Sequence, residues 1–211
     1  MAKLYFRYGA MNSGKSTALL QAAFNYEERG QQVLLAKPGV DTKGDAQLVS
    51  RLGVTRPVDV LIGTDDDVYQ VLTERRAQLR SETGRDLACV LIDEAQFLSA
   101  AQVDALMRWV LLENIPVIAY GIRTDFQTVA FPGSRRLLEV AHSLEELKTI
   151  CRCGKKALFN ARRIGNEFVF AGDQVAIDQG EVTYESLCGT CYLQESGGTF
   201  ASHPADWAET E

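Results

Sequence analysis

The chain has 211 residues, a formal net charge of −6, 46% hydrophobic residues and 24% charged residues. That is room for one ordinary domain, or one domain with a small appendage, and enough apolar material for a core without disulfides. An acidic balance argues against a non-specific grip on nucleic acid. No apolar run reaches the roughly 18 residues of a membrane span, and the opening Met1-Ala2-Lys3-Leu4-Tyr5-Phe6 lacks a signal-peptide core, so a cytoplasmic protein is expected.

In chain order, Leu4 to Tyr8 reads as a strand and Lys15 to Arg29 as a helix with Leu19, Leu20, Ala23 and Phe24 on one side. Gly30 stands where a helix C′ residue belongs. Val33 to Lys37 and Val58 to Ile62 read as further strands, and Asp65, Asp66 and Asp67 suit the start of a helix. Cys89 to Asp93 is apolar in a way that fits a strand buried on both faces, which makes Cys89 a core residue. Ser99 and Gln102 form a capping-box pattern for a helix ending near Asn114, and Val117 to Tyr120 follows as a strand. Strands alternating with helices predict a parallel α/β sheet over residues 1–145. From about residue 146 the pattern changes: Ala157 to Arg163 and Glu167 to Phe170 read as a hairpin about Ile164-Gly165-Asn166. This segment is expected to form a second, small domain over 146–195, followed by a polar tail over 196–211.

Gly9-Ala10-Met11-Asn12-Ser13-Gly14-Lys15-Ser16 matches G-x-x-x-x-G-K-[ST] at each fixed position, between a strand and a helix. The glycines let backbone N–H groups wrap phosphate oxygens; Lys15 suits the β/γ-phosphates of ATP and Ser16 suits Mg²⁺. Asp93-Glu94-Ala95-Gln96 follows the buried strand, at the end where ligands gather in open α/β sheets. Asp93 there fits a Mg²⁺ ligand. Glu94 fits a base acting on either a water or a substrate hydroxyl, so an ATPase and a kinase are both open from these residues. The same tetrapeptide resembles a helicase motif, but a translocating motor of that type needs two tandem motor domains. Cys151-x-Cys153 and Cys188-x-x-Cys191 supply four thiolates for a closed, structural Zn²⁺ site, with Lys155 and Lys156 near enough in sequence to offset its charge. A zinc-stabilised nucleic-acid-binding module is a further alternative. His142, which closes a helical stretch, and His203, the only histidines, are read as non-functional.

The phosphate loop, Asp93-Glu94-Ala95-Gln96-Phe97, Tyr120-Gly121-Ile122-Arg123-Thr124-Asp125-Phe126, Leu147-Lys148-Thr149-Ile150-Cys151, and Tyr184 ahead of Cys188 together resemble the zinc-containing thymidine kinase family, across roughly residues 1 to 195. The resemblance implies a P-loop NTPase core with a small zinc-binding lasso domain, and transfer of the ATP γ-phosphate to the 5′-hydroxyl of deoxythymidine, with deoxyuridine also used. Glu94 then matches the family's base. Met11, Phe97, Phe126, Phe131, Val175, Ala176, Ile177 and Tyr184 match positions around the nucleoside, although the three phenylalanines taken alone read as core. Arg123 is read as helping to order the site. A homotetramer inhibited by dTTP is likewise implied. Two departures stand out: Asp41-Thr42-Lys43 where the family often has Asp-x-Arg, and Ile177-Asp178-Gln179-Gly180 where Ile-Gly-Gly is frequent.

Overall fold

The computed structural model describes residues 1–39, 47–50, 53–172, 174, 182–198 and 200. The departures at 41–43 and 177–180, the expected contacts Val175, Ala176 and Ile177, and His203 in the expected tail lie outside the described residues. The chain divides into two compact units. One comprises Met1–Tyr8, Gly14–Ile122 and Pro132–Leu147; the other comprises Gly9–Ser13, Arg123–Phe131 and the chain from Lys148 onward.

In the first unit, β1 (Leu4–Tyr8), α1 (Lys15–Glu27), β2 (Gln32–Pro38), β3 (Gln47–Val49), β4 (Thr55–Pro57), β5 (Val60–Ile62), α2 (Val68–Thr83), β6 (Leu87–Ile92), α3 (Ala100–Glu113), β7 (Val117–Gly121), α4 (Pro132–Val140) and β8 (Ser143–Glu146) follow in order. Six of the strands form one sheet in the order β5-β2-β6-β7-β1-β8, with parallel pairing throughout. Successive side chains on a strand point to opposite faces, so an apolar strand feeds two cores at once. Leu34, Val90 and Ile92 pack with Leu72, Leu106 and Trp109 of α2 and α3. Val33, Leu35, Cys89 and Leu91 pack with Leu19 and Ala23 of α1. Cys89 is a core residue as expected, and burial pushes its thiol up to about 12. Phe24 corrects the expected helix face: it is 58% exposed, one position beyond Ala23, so α1 buries only a narrow line.

Local chemistry fixes the helix ends. Of the three aspartates, Asp67 caps α2 by accepting from the N–H groups of Tyr69 and Gln70, while Asp66 accepts from Gly63. Both bonds of the Ser99–Gln102 capping box are present. Gly30, Gly84 and Asn114 take left-handed conformations at helix ends. The sequence reading missed the β3–β4 hairpin and β8, whereas α4 is the helical stretch expected ahead of His142. Helix α4 starts with Pro132-Gly133, a pair that reads locally as a turn, although Pro at the first helical position suits a helix start. His142 has a structural use, its Nδ1 accepting the Leu4 N–H at 3.1 Å.

The second unit holds β9 (Thr149–Ile150), β10 (Lys156–Ala157), β11 (Phe159–Ile164), β12 (Glu167–Val169), β13 (Val182–Leu187) and α5 (Gly189–Glu195). Strands β12, β11 and β13 form an antiparallel sheet, with β9 and β10 as a separate pair. The expected hairpin is there: Ile164 faces Glu167, and Gly165 takes φ 58° at the first of two loop residues. The core is small, formed by Ala157, Ala161, Leu187, Tyr192 and three cysteines, with Phe159, Phe168 and Phe170 against it.

An ion-pair network ties α2 to the strand that follows it. Arg76 pairs with both carboxylate oxygens of Asp86 at 2.7 Å and with Glu113 at 2.8 Å. The Arg76 hydrogen bonds hold the Asp86 carboxyl down at about 2. Its contribution is therefore full above about pH 4, the unfolded value, and is lost as pH falls through about 2. The Asp86 side chain is 45% exposed. Solvent screening limits the pair to about 1 kcal/mol or less. Asp86→Asn is expected to lower Tm at pH 7 by about 2–4 °C at most, with the gap to wild type closing below pH 4. A gap that persists unchanged at low pH would rule out the ion pair as its source.

Candidate active site

In the first unit, β6 delivers Asp93 to the carboxyl end of the sheet, where its N–H donates to the Ala36 carbonyl at 3.0 Å. Asp93 is 6% exposed. Desolvation first, and then the neighbouring Glu94 charge, push its carboxyl up to about 7, against the pull of Lys15 and Lys37. A buried acid flanked by two ammonium groups suits a cation or phosphate site better than it suits packing.

Glu94 takes a left-handed conformation (φ 50°, ψ 36°) and starts a single helical turn, Ala95–Phe97. For a residue with a Cβ that conformation costs about 1 kcal/mol or more, and it persists only where surroundings enforce it. The Glu94 carboxylate accepts from Gln96 Nε2 at 2.5 Å, while Gln96 Oε1 accepts the Ile122 N–H at 3.2 Å. A backbone N–H can only donate, so this second bond fixes the amide with its NH₂ toward Glu94. Two close approaches hold the turn. A Cβ on Gly121 would lie 2.8 Å from Gln96 Oε1, and one on Gly133 would lie 2.4 Å from the Ala95 carbonyl oxygen and 2.7 Å from that of Leu98. Ser134, beside Gly133, donates its hydroxyl to the Ile122 carbonyl at 2.6 Å. The start of α4 thus braces both the turn and the strand end that orients Gln96.

The phosphate-binding motif leaves β1 at Tyr8 and enters α1 at Lys15. Asn12 (φ 64°) and Gly14 (φ 78°) supply left-handed backbone, which asparagine and glycine tolerate best. The N-cap of α1 is Gly14, which has no side chain to occupy the helix start, a place where backbone N–H groups can meet an anion. Lys15 and Ser16 belong to the first unit, and Gly9, Ala10, Met11, Asn12 and Ser13 to the second.

Within the second unit, Phe126 and Phe131 are buried at 1% and 4% exposure, as the residues taken alone suggested. Phe97, in the first unit, is half-buried. The Arg162 guanidinium lies 3.6 Å from the Phe126 ring centroid, and its Nε donates to the Tyr184 hydroxyl at 3.2 Å. Asp125 organises the same loop: one carboxylate oxygen accepts from the N–H groups of Gln127 and Val129, the other from Gln174 Nε2. Sequence reasoning missed Arg162, Asp125, Asn160 and Ser186. The register of β11 against β13, which sets Arg162 opposite Tyr184 and Asn160 opposite Ser186, brings three of them into use, while Asp125 acts on its own loop and on Gln174.

The four cysteines converge in the second unit, with all sulfurs within 4.8 Å of one another and the Cys153 and Cys188 sulfurs 3.5 Å apart. Zn–S bonds of about 2.3 Å in a tetrahedron require S···S separations near ~3.8 Å, so the donor set fits a metal ion. The N–H of Cys191 draws the Cys188 thiol down to about 6, whereas the sulfurs of Cys153 and Cys151 push Cys191 up to about 12. Four close thiolates repel one another, and a cation is what lets them ionise together.

A parallel α/β sheet with a G-x-x-x-x-G-K-S loop after its first strand, and an acidic pair at the end of a buried strand, defines a P-loop nucleotide-binding protein carrying a cysteine-rich unit. A family model described as thymidine kinase matches residues 2–192, and the chain belongs to that family. The thymidine kinase of Enterobacteria phage T4 is 46% identical over 191 residues, covering 89% of this chain and 94% of that one. That of Legionella pneumophila strain Paris is 45% identical over 203 residues (95% and 94% covered), and that of Ruegeria pomeroyi 43% over 199 residues (93% and 96% covered). Among solved structures, a DNA replication initiation factor aligns with 70% of this chain and 40% of its own at TM-score 0.38 and 17% identity. None of the helices among the described residues is long and apolar enough to cross a membrane.

The close approach of Gly133 sets one expectation. Gly133→Ala must displace the Ala95–Leu98 carbonyls, so it should destabilise the protein by about 1–3 kcal/mol, the usual cost of overpacking. Thermal unfolding measures this, and a Tm equal to wild type would show that the turn yields freely.

Proposed function

We propose that this kinase transfers the γ-phosphoryl group of ATP to the 5′-hydroxyl of deoxythymidine, and also of deoxyuridine, with Glu94 as general base. The observation that carries the reading is the placement of Glu94: it is held in a strained turn directly after the buried Asp93, with its carboxylate fixed by Gln96. Glu94 takes the proton of the 5′-hydroxyl as that oxygen attacks the γ-phosphorus in line, and ADP leaves. The Gln96 amide holds the carboxylate in one orientation and so contributes positioning rather than chemistry. Lys15 and the loop Gly9–Ser13 hold the phosphates. The Asp93 carboxylate and Ser16 hydroxyl are hard oxygen donors suited to Mg²⁺, which would neutralise charge on the phosphates when bound. Met11, Phe97, Phe126, Phe131 and Tyr184 enclose the deoxynucleoside. The same reading gives a cytoplasmic homotetramer, with dTTP as feedback inhibitor.

The decisive measurement is ADP release from Mg-ATP alone, with thymidine, with other nucleosides and with single-stranded DNA. Turnover is expected to depend on thymidine; equal turnover without any acceptor would make the protein a plain ATPase. In the same assay Glu94→Gln should lower kcat by about 10²-fold or more, the range for a lost general base. An unchanged kcat would take Glu94 out of that role.

The cysteine cluster is read as a structural Zn²⁺ site formed by Cys151, Cys153, Cys188 and Cys191, because all four positions of a tetrahedral ion are filled by protein and none is left for chemistry. The core around it is too small to hold the unit without a staple. Elemental analysis should find about one zinc per chain, and a chelator strong enough to remove it should lower Tm. Wild-type protein that lacks zinc and unfolds at the same temperature as zinc-loaded protein would refute the assignment.

A further inference from the structure

One opposed pair of the β11–β13 ribbon is spent on the phosphate loop. Asn160 and Ser186 are directly opposed across the pair, which puts their side chains on a common face. Asn160 is 2% exposed; its Oδ1 accepts the Met11 N–H at 2.7 Å, and its Nδ2 donates to the Thr124 carbonyl at 3.1 Å. Ser186, 7% exposed, donates its hydroxyl to the Met11 carbonyl at 2.5 Å. From β9, the Thr149 hydroxyl donates to the Asn12 carbonyl at 3.4 Å. Both polar groups of the Met11 residue are therefore held by side chains, immediately before Asn12 turns into the left-handed region. The Asn160 amide can sit only one way here, since Met11 N–H donates and Thr124 C=O accepts.

We infer that Asn160 and Ser186 are positioning residues for the ATP phosphates. They pin the Met11 peptide groups and thereby set the curvature of the loop that wraps the anion. A P-loop depends on several N–H groups pointing to one place, so a residue free to rotate ahead of Asn12 blurs that focus. Two residues of the cysteine-bearing unit, far from the loop in sequence, then tune the affinity for ATP. The inference rests on reading Gly9–Ser16 as the ATP loop.

The test is steady-state kinetics on the full chain, with ATP and thymidine varied in turn, for Asn160→Ala, Ser186→Ala and the double variant. Losing a buried partner to one backbone group is expected to raise KM for ATP roughly tenfold in Asn160→Ala and roughly threefold in Ser186→Ala. Although Met11 is also read as a nucleoside contact, the groups released are its backbone N–H and carbonyl, so the KM for thymidine should move less in each. The double variant should lose less than the product of the two, because both side chains hold one residue. A KM for ATP unchanged in zinc-loaded, folded variants overturns the inference. So does an equal rise in both KM values, which marks general loosening. If Asn160→Ala does not fold, Ser186→Ala, a one-atom truncation, decides alone by the same criteria. Lys15→Ala serves as the separate control: if it leaves the KM for ATP unaltered, the phosphate-loop reading itself fails.

Discussion

The turn that closes β6 is the constraint on which the proposed chemistry depends. Asp93 is buried because it directly follows β6, an inner strand of a sheet covered on both faces. Glu94 then leads into the single turn Ala95–Phe97, in a left-handed conformation that a side chain ordinarily avoids. What makes that conformation tolerable is the absence of atoms elsewhere. Gly121 and Gly133 leave room for the Gln96 amide and for the carbonyls of Ala95 and Leu98. Two residues without side chains thus allow one carboxylate to be held still.

The second unit solves a different problem with few apolar groups. Its core is a handful of residues, and three of those are cysteines. The polar side chains on its sheet are spent on backbone: Asn160 and Ser186 on Met11, Arg162 on the Gln174 carbonyl. Arg162 also stacks on Phe126 and donates to Tyr184, so one buried guanidinium orders two aromatic rings. Polar groups placed this way set geometry where there is too little hydrophobic surface to do so by packing.

Several features were legible in the chain itself because their causes are local. The phosphate loop, the Ser99–Gln102 cap and the Gly165 turn depend on residues within a few positions of each other, and all three stand where the pattern put them. The buried strands were legible because a short, continuous apolar run is stable only where both of its faces are covered. Helix α4 was legible as a helical stretch ahead of His142 but not where it starts, since Pro132-Gly133 carries a turn signal that the long-range packing of Gly133 overrides. The outward turn of Phe24 escaped for the same reason: an amphipathic pattern gives a face, and only the neighbouring strands set how wide a stripe of it is covered.

The acidic pair and the phosphate loop were likewise visible from the start, as residue types in a run, and so was the grouping of cysteines in two pairs. Sequence by itself determined the kinds of atoms available: a nest of glycine-flanked amides, two carboxylates at the end of a strand, four thiols. Tertiary structure decided which of them are held and by what. The bond from Gln96 to Glu94 needs the Ile122 N–H to fix the amide, and the clamp on Met11 needs β11 and β13 to pair in one register out of many. Shifting that register by one residue would turn Asn160 and Ser186 to the opposite face. Contacts of this sort come from chain segments brought together only by the closing of the whole fold.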